Sequence, residues 1–218
     1  MDVALRVRTV GRPAPGAAAP LLVVLDGPDY VSRGRLLAVL RRQAEARALP
    51  AHRVVLVSAA DRFEAFSASA RYGQALTAAL DELGRGRRVG VGSSLGALAL
   101  LHAHRLEPRA FAGLFLQSGS YFRRRTDPQE RAFRRFARID RFVGGVLGGG
   151  VDGTRPVPTT ITCALDEENY ANNAVLAQAL AAQGYAVDFH AARGAHDWPT
   201  WRRALELHLP GLLRKVWR

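Results

Sequence analysis

Along most of this chain, short continuous apolar runs alternate with segments of helical period. Val3–Val10 reads as an edge strand. LLVVL at 21–25, RVVLVS at 53–58, RRVGV at 87–91, FAGLFLQ at 111–117, VPTTITCAL at 157–165 and YAVDFHA at 185–191 read as further strands. Runs with apolar residues at every position are those of strands covered on both faces. Between them, 32–47, 68–83, 95–105, 127–142, 171–183 and 199–208 carry helical spacing. A strand–helix rhythm predicts an α/β fold with a parallel sheet between two helical layers. GRPAPGAAAP at 11–20 is a loop, and GGVLGGGVDGTRP at 144–156 is a glycine-rich break. The rhythm resumes after that break, so 1–218 reads as one domain, with 118–156 as a partial cap segment.

Composition changes this picture little. At 218 residues, nearly half of them hydrophobic, the chain is long enough for one sizeable core. No apolar run approaches the roughly 20 residues that cross a bilayer, and the N-terminus lacks the apolar stretch of a secretory signal. A cytoplasmic protein without membrane contact is expected. Cys163 is the only cysteine, which excludes an intrachain disulfide and a cysteine-based zinc cluster. The net charge of +12 raises nucleic acid as a partner. All but one of the 31 basic residues are arginine in a chain rich in Ala, Gly and Leu, the signature of compositional bias. No specific nucleic-acid partner is expected.

Chemistry enters at Gly92-Ser93-Ser94-Leu95-Gly96, a G-x-S-x-G placed between a valine-rich strand and an apolar helix. There the glycines permit a sharp turn that presents Ser94 as a nucleophile. The Leu95 N–H, at the helix N-terminus, points at a developing oxyanion. A serine nucleophile needs a base. Of the six histidines only His196 falls in a loop after the last strand, in ARGAHDWPTW, where Asp197-Trp198-Pro199 reads as a helix start. The chain order Ser, acid, His puts the acid in ALDEEN at 164–169. Asp166, Glu167 and Glu168 compete for that role, and Glu167 is the one expected to fill it.

Six segments together resemble the esterase family that includes the enterochelin (ferric enterobactin) esterases. They are LLVVLDGPDY, DRFEAFSASARYGQAL, VGSSLGALALLHAHR, GLFLQSGSY, CALDEENYANNAVLAQALAAQGY and GAHDWPTWRRAL. This branch of the α/β hydrolases also holds S-formylglutathione hydrolases and secreted mycolyltransferases. The resemblance runs from about residue 20 to near the C-terminus. It implies a mostly parallel sheet of about eight strands and a Ser94–His196–acid triad. The acid falls three residues after Ala164, at Glu167. A second oxyanion donor is implied in LDGPDY. Pro28 stands at that place and has no N–H, so Gly27 or Asp29 must serve instead.

The function expected is a serine esterase working through an acyl-enzyme, with no metal and no cofactor. An acyltransferase of the same fold, or a weak or inactive binding protein, are the alternatives. Asp29, Tyr30, Arg123 and Trp198 are expected to contact the substrate. The arginines of SYFRRRTDPQERAFRRFARIDRF, 120–142, suggest a small anionic or siderophore-like ester.

Overall fold

The computed structural model describes residues 3–10, 19–84, 86–149 and 155–218. In chain order the elements are β1 (Val3–Val10), β2 (Leu21–Leu25), α1 (Gly27–Ser32), α2 (Leu36–Glu45), β3 (His52–Ala59), α3 (Arg62–Phe66), α4 (Ala70–Asp81), β4 (Arg88–Ser93) and α5 (Leu95–Leu106). β5 (Gly113–Gln117), a 3-10 turn (Pro128–Ala132), α6 (Phe136–Leu147), β6 (Thr159–Ala164), α7 (Tyr170–Ala182), β7 (Val187–Ala192) and α8 (Trp198–Trp217) follow.

One seven-stranded sheet runs in the order β1-β3-β2-β4-β5-β6-β7. β1 pairs antiparallel with β3, and the other six strands are mutually parallel. The seven strand-like runs in the sequence are these seven strands. The count is therefore seven among the described residues rather than about eight, because no eighth apolar run exists to supply the missing strand. Alternation along β2 divides the core. Leu21, Val23 and Leu25 join α4, α5, α6 and α7 on one face, whereas Leu22 and Val24 join α2 and α8 on the other. Helix α5 is buried nearly all round, as a helix against the sheet centre must be.

Two helices depart from the sequence expectation. The 127–142 segment is not one helix. Pro128 opens the short 3-10 turn, Arg135 at φ 70° resets the chain, and α6 begins at Phe136. It runs into the glycines expected to break it because Phe136, Ile139, Val143 and Val146 bury one stripe. Gly144 leaves room for the Arg123 guanidinium, which would lie 3.2 Å from an added Cβ. The remainder of the expected break, 150–154, lies outside the described residues. Helix α8 likewise continues beyond 208, through Pro210. An interior proline costs about 3 kcal/mol. Leu212, Leu213, Val216 and Trp217, all buried beyond it, return about 1.5–3 kcal/mol each.

Part of the basic charge is structural. Arg88 is buried and caps the end of α4 through the Leu80 and Gly84 carbonyls, and Arg87 donates to the Val216 and Arg218 carbonyls at the end of α8.

Candidate active site

The carboxyl ends of parallel strands are where such a sheet opens to ligands. Three neighbouring strands, β2, β4 and β5, are each followed there by a non-glycine residue with positive φ: Asp26 (54°), Ser94 (54°) and Ser118 (46°). Such backbones cost about 1–3 kcal/mol each and persist only where the surroundings impose them.

Ser94 has φ 54° and ψ −122°, with its N–H on the Gln117 carbonyl and its own carbonyl accepting from the Ser120 and Leu98 N–H groups. The turn is fixed by what packs below it. A Cβ on Gly92 would sit 2.6 Å from the Gly96 carbonyl carbon, whereas one on Gly96 would meet nothing nearer than 3.5 Å. Only the first glycine of the motif is sterically required. Gly92→Ala should therefore lower the melting temperature by several degrees, and Gly96→Ala should leave it nearly unchanged, in parallel thermal melts.

His196 sits in the loop between β7 and α8. Asp197 caps α8 by accepting from the Thr200 N–H at 3.0 Å, and Thr200 Oγ1 accepts from the Ala195 N–H at 3.1 Å, so the loop is tied on both sides of the histidine. His196 Nδ1 lies 2.7 Å from Glu167 Oε2. The other Glu167 oxygen, Oε1, accepts from Ser118 Oγ at 2.6 Å and from the Ala164 N–H at 2.9 Å. Of the three competing acids, Asp166 is exposed and Glu168 accepts from Gln129 Nε2, so only Glu167 meets the histidine. Burial pushes the Glu167 carboxyl up, but hydrogen bonds from His196, Ser118 and Ala164 outweigh it and hold the group below its ordinary value. A carboxyl lowered by folding adds stability that is complete above its unfolded pKa, near 4.3, and is lost as pH falls through the folded pKa. The melting-temperature gap between wild type and Glu167→Gln should thus be widest above about pH 5 and close in stronger acid. A gap that widens in acid would contradict this.

Ser94 and His196 line one cavity of about 400 Å³. Ser94 Oγ makes a hydrogen bond with Ser120 Oγ at 3.0 Å. Phe63, Phe122 and Phe133 form an aromatic wall, with ring centroids 5.7 and 5.3 Å apart along the series Phe63–Phe133–Phe122. Asp127, Glu130 and Glu168 face the same space, and burial together with the Glu168 and Asp127 charges pushes the Glu130 carboxyl up. The cation on the lining is Arg62, whose guanidinium grips both Asp26 oxygens at 2.8–2.9 Å. Arg62 was not singled out in the sequence. Its only sequence signal is membership in the DRFEAF segment.

Leu95 lines the cavity at the start of α5. In the β2–α1 turn the Asp29 and Tyr30 N–H groups both bond the Asp26 carbonyl, and Gly27, the other donor expected there, is buried and is not among the residues that line the cavity. Gly27 also admits no side chain, since a Cβ there would lie 2.6 Å from Leu56 Cα.

The four expected substrate contacts do not line the cavity. Tyr30 is wholly buried and donates to Gln117 Oε1 at 2.9 Å. Trp198 packs edge-on against Tyr30 and Trp201 in the core. Arg123 is turned to Asp140 at 3.0 Å, and Asp29 is exposed on the surface. Other arginines of the 120–142 segment are paired too. Arg134 meets Asp61, and Arg135 and Arg138 meet Glu64.

The architecture matches solved structures over almost the whole chain. An enterobactin esterase from Shigella flexneri, determined in the presence of enterobactin, superposes with a TM-score of 0.77 at 23% identity, over 98% of this chain and 54% of that one. The fold is that of the α/β-hydrolase esterases. A ferulic acid esterase (TM-score 0.68, 16% identity, 98% of this chain and 99% of that one) has it too. So does an S-formylglutathione hydrolase from Staphylococcus aureus (0.70, 12%, 98% and 100%). The chain spans about half the length of the enterobactin esterases it matches. No family model matches the sequence, and no curated protein matches it by sequence. Among the described residues no helix is long and apolar enough to cross a membrane, and no group of three or more His, Cys, Asp or Glu could hold a metal ion.

Proposed function

We propose that this chain is a serine hydrolase that cleaves a carboxylic ester through an acyl-enzyme. The observation that carries this reading is Ser94 on its strained turn, sharing one cavity with a His196 that is hydrogen-bonded to the buried Glu167. Ser94 Oγ turns from Ser120 toward His196 Nε2, gives it the proton and attacks the ester carbonyl. Glu167 holds the imidazole through Nδ1 and stabilises the imidazolium. The tetrahedral oxyanion is met by the N–H group of Leu95 and by the fixed guanidinium of Arg62. His196 then protonates the departing alcohol. Water, deprotonated by the same nitrogen, frees the acid and restores Ser94.

Pro28 does not empty the oxyanion site in this scheme, because Leu95 and Arg62 both line the cavity. For the substrate, three carboxylates and an already paired guanidinium on the lining favour an ester with a neutral or cationic group over the aromatic wall. Of the arginines that suggested an anionic ester, Arg123, Arg134, Arg135 and Arg138 are paired with carboxylates, and no arginine of the segment lines this cavity. Enterobactin, present with one matching structure, remains the siderophore ester to try beside simple aryl esters.

Active-site titration with a fluorophosphonate tests the reading. Wild type should take one label, located on Ser94 by peptide mass. Folded wild type that takes none would overturn it.

A further inference from the structure

Behind the candidate acid lies a buried chain of donors. Trp201, in the first turn of α8, directs its indole Nε1–H at Ser118 Oγ, 3.0 Å away, and Ser118 Oγ in turn meets Glu167 Oε1 at 2.6 Å. Both links are buried, with Ser118 1% and Trp201 7% exposed. A serine hydroxyl can donate or accept, but an indole N–H only donates. Trp201 therefore fixes Ser118 as its acceptor, and the single Ser118 proton is left for the carboxylate. The Ala164 N–H supplies the second bond to the same oxygen, so Oε1 is saturated and Oε2 is the oxygen left for His196.

Trp201 also touches the base itself. Its ring meets the His196 ring edge-on, centroids 5.0 Å apart at 81°. The residue is held from the sheet side, where its carbonyl accepts from Gln117 Nε2 at 2.9 Å and Gln117 Oε1 accepts from Tyr30. One side chain on α8 thus reaches both the acid, through Ser118, and the plane of the base.

The geometry points to Trp201 as a positioning residue for the acyl-transfer step, acting through Ser118 to aim Glu167 Oε2 at His196 Nδ1. This rests on the serine-hydrolase reading above. It goes beyond that reading by giving a catalytic consequence to two residues that touch neither ester nor nucleophile.

The test is a set of variant cycles read by turnover of p-nitrophenyl acetate and by the rate of fluorophosphonate labelling. Trp201→Phe deletes the N–H and keeps the ring against His196. Ser118→Gly deletes the hydroxyl and suits the positive φ. Each should lower kcat about tenfold with KM unchanged, the scale of one hydrogen bond. The double variant should be no slower than Ser118→Gly alone, because the indole acts only through the hydroxyl. Neither change should cost anything further in a Glu167→Ala background. A residue that merely supports the fold would lower turnover in both backgrounds, and that result overturns the proposal, as does an undiminished Trp201→Phe. Wild type that takes no label overturns the proposal together with the reading it rests on. A labelled wild type with unaffected variants overturns the proposal alone.

Discussion

Ser94→Ala should reduce ester turnover by a factor on the order of 10⁴ to 10⁶, and His196→Ala should do nearly the same. The size follows from covalency. Without the hydroxyl no acyl-enzyme forms, and what remains is the smaller acceleration that oxyanion donors give to attack by water. Without the imidazole the hydroxyl keeps its proton at neutral pH and leaves no base to remove it. The two losses should not multiply, since each disables the same step, so the double variant should match the singles. The measurement is turnover of p-nitrophenyl acetate by proteins whose circular dichroism matches wild type. Ser94→Ala retaining more than about 1% of turnover would place the nucleophile elsewhere.

Arg62→Ala should lower kcat by about 10² to 10³, with a much smaller change in KM. The argument is one of preorganisation. Asp26 grips the guanidinium from both oxygens, so its place on the cavity wall is set before substrate arrives. A charge held this way stabilises the oxyanion that develops in the transition state more than the neutral ester that precedes it, and differential stabilisation appears in kcat. The turn that should carry backbone donors has Pro28 in it and spends two further N–H groups on Asp26, which raises the share left to Arg62. Asp26→Asn should lower kcat in the same direction by loosening the grip. Lysine at 62 should restore only part of the rate, because a point charge cannot replace the two-toothed contact. If Arg62→Ala raised KM and left kcat alone, Arg62 would be a binding contact and not an oxyanion donor.

Much of this molecule was readable from the order of its residues. The strands were, because runs such as LLVVL bury both faces and leave no competing pattern. Ser94 and His196, which line one cavity, are legible because a G-x-S-x-G turn between a strand and a helix and a histidine in a loop are local features. What escaped depends on partners distant in sequence. Asp166, Glu167 and Glu168 look alike along the chain. They are separated only by which of them meets Ser118, the Ala164 N–H and His196 in space. Tyr30 and Trp198 lie next to the motifs, yet their side chains turn into the core and meet each other. The arginines of 120–142 display their charge in the sequence, but the acid that absorbs Arg135 and Arg138 is Glu64, about 70 positions earlier. Arg62 gives no signal along the chain for the same reason, since the Asp26 that fixes its guanidinium lies 36 residues before it.

The three positive-φ residues at the ends of β2, β4 and β5 put chemistry and thermodynamics at odds. Glycine adopts such a backbone without penalty, so at each of these positions the change that relaxes the chain also deletes the side chain that the proposed site employs. For Ser94 it removes the hydroxyl, for Asp26 the anchor of Arg62, and for Ser118 the donor to Glu167. Screening variants for heat resistance alone would therefore drift toward an inert protein at these three points, and selection for turnover would hold the chain below the stability its fold could reach.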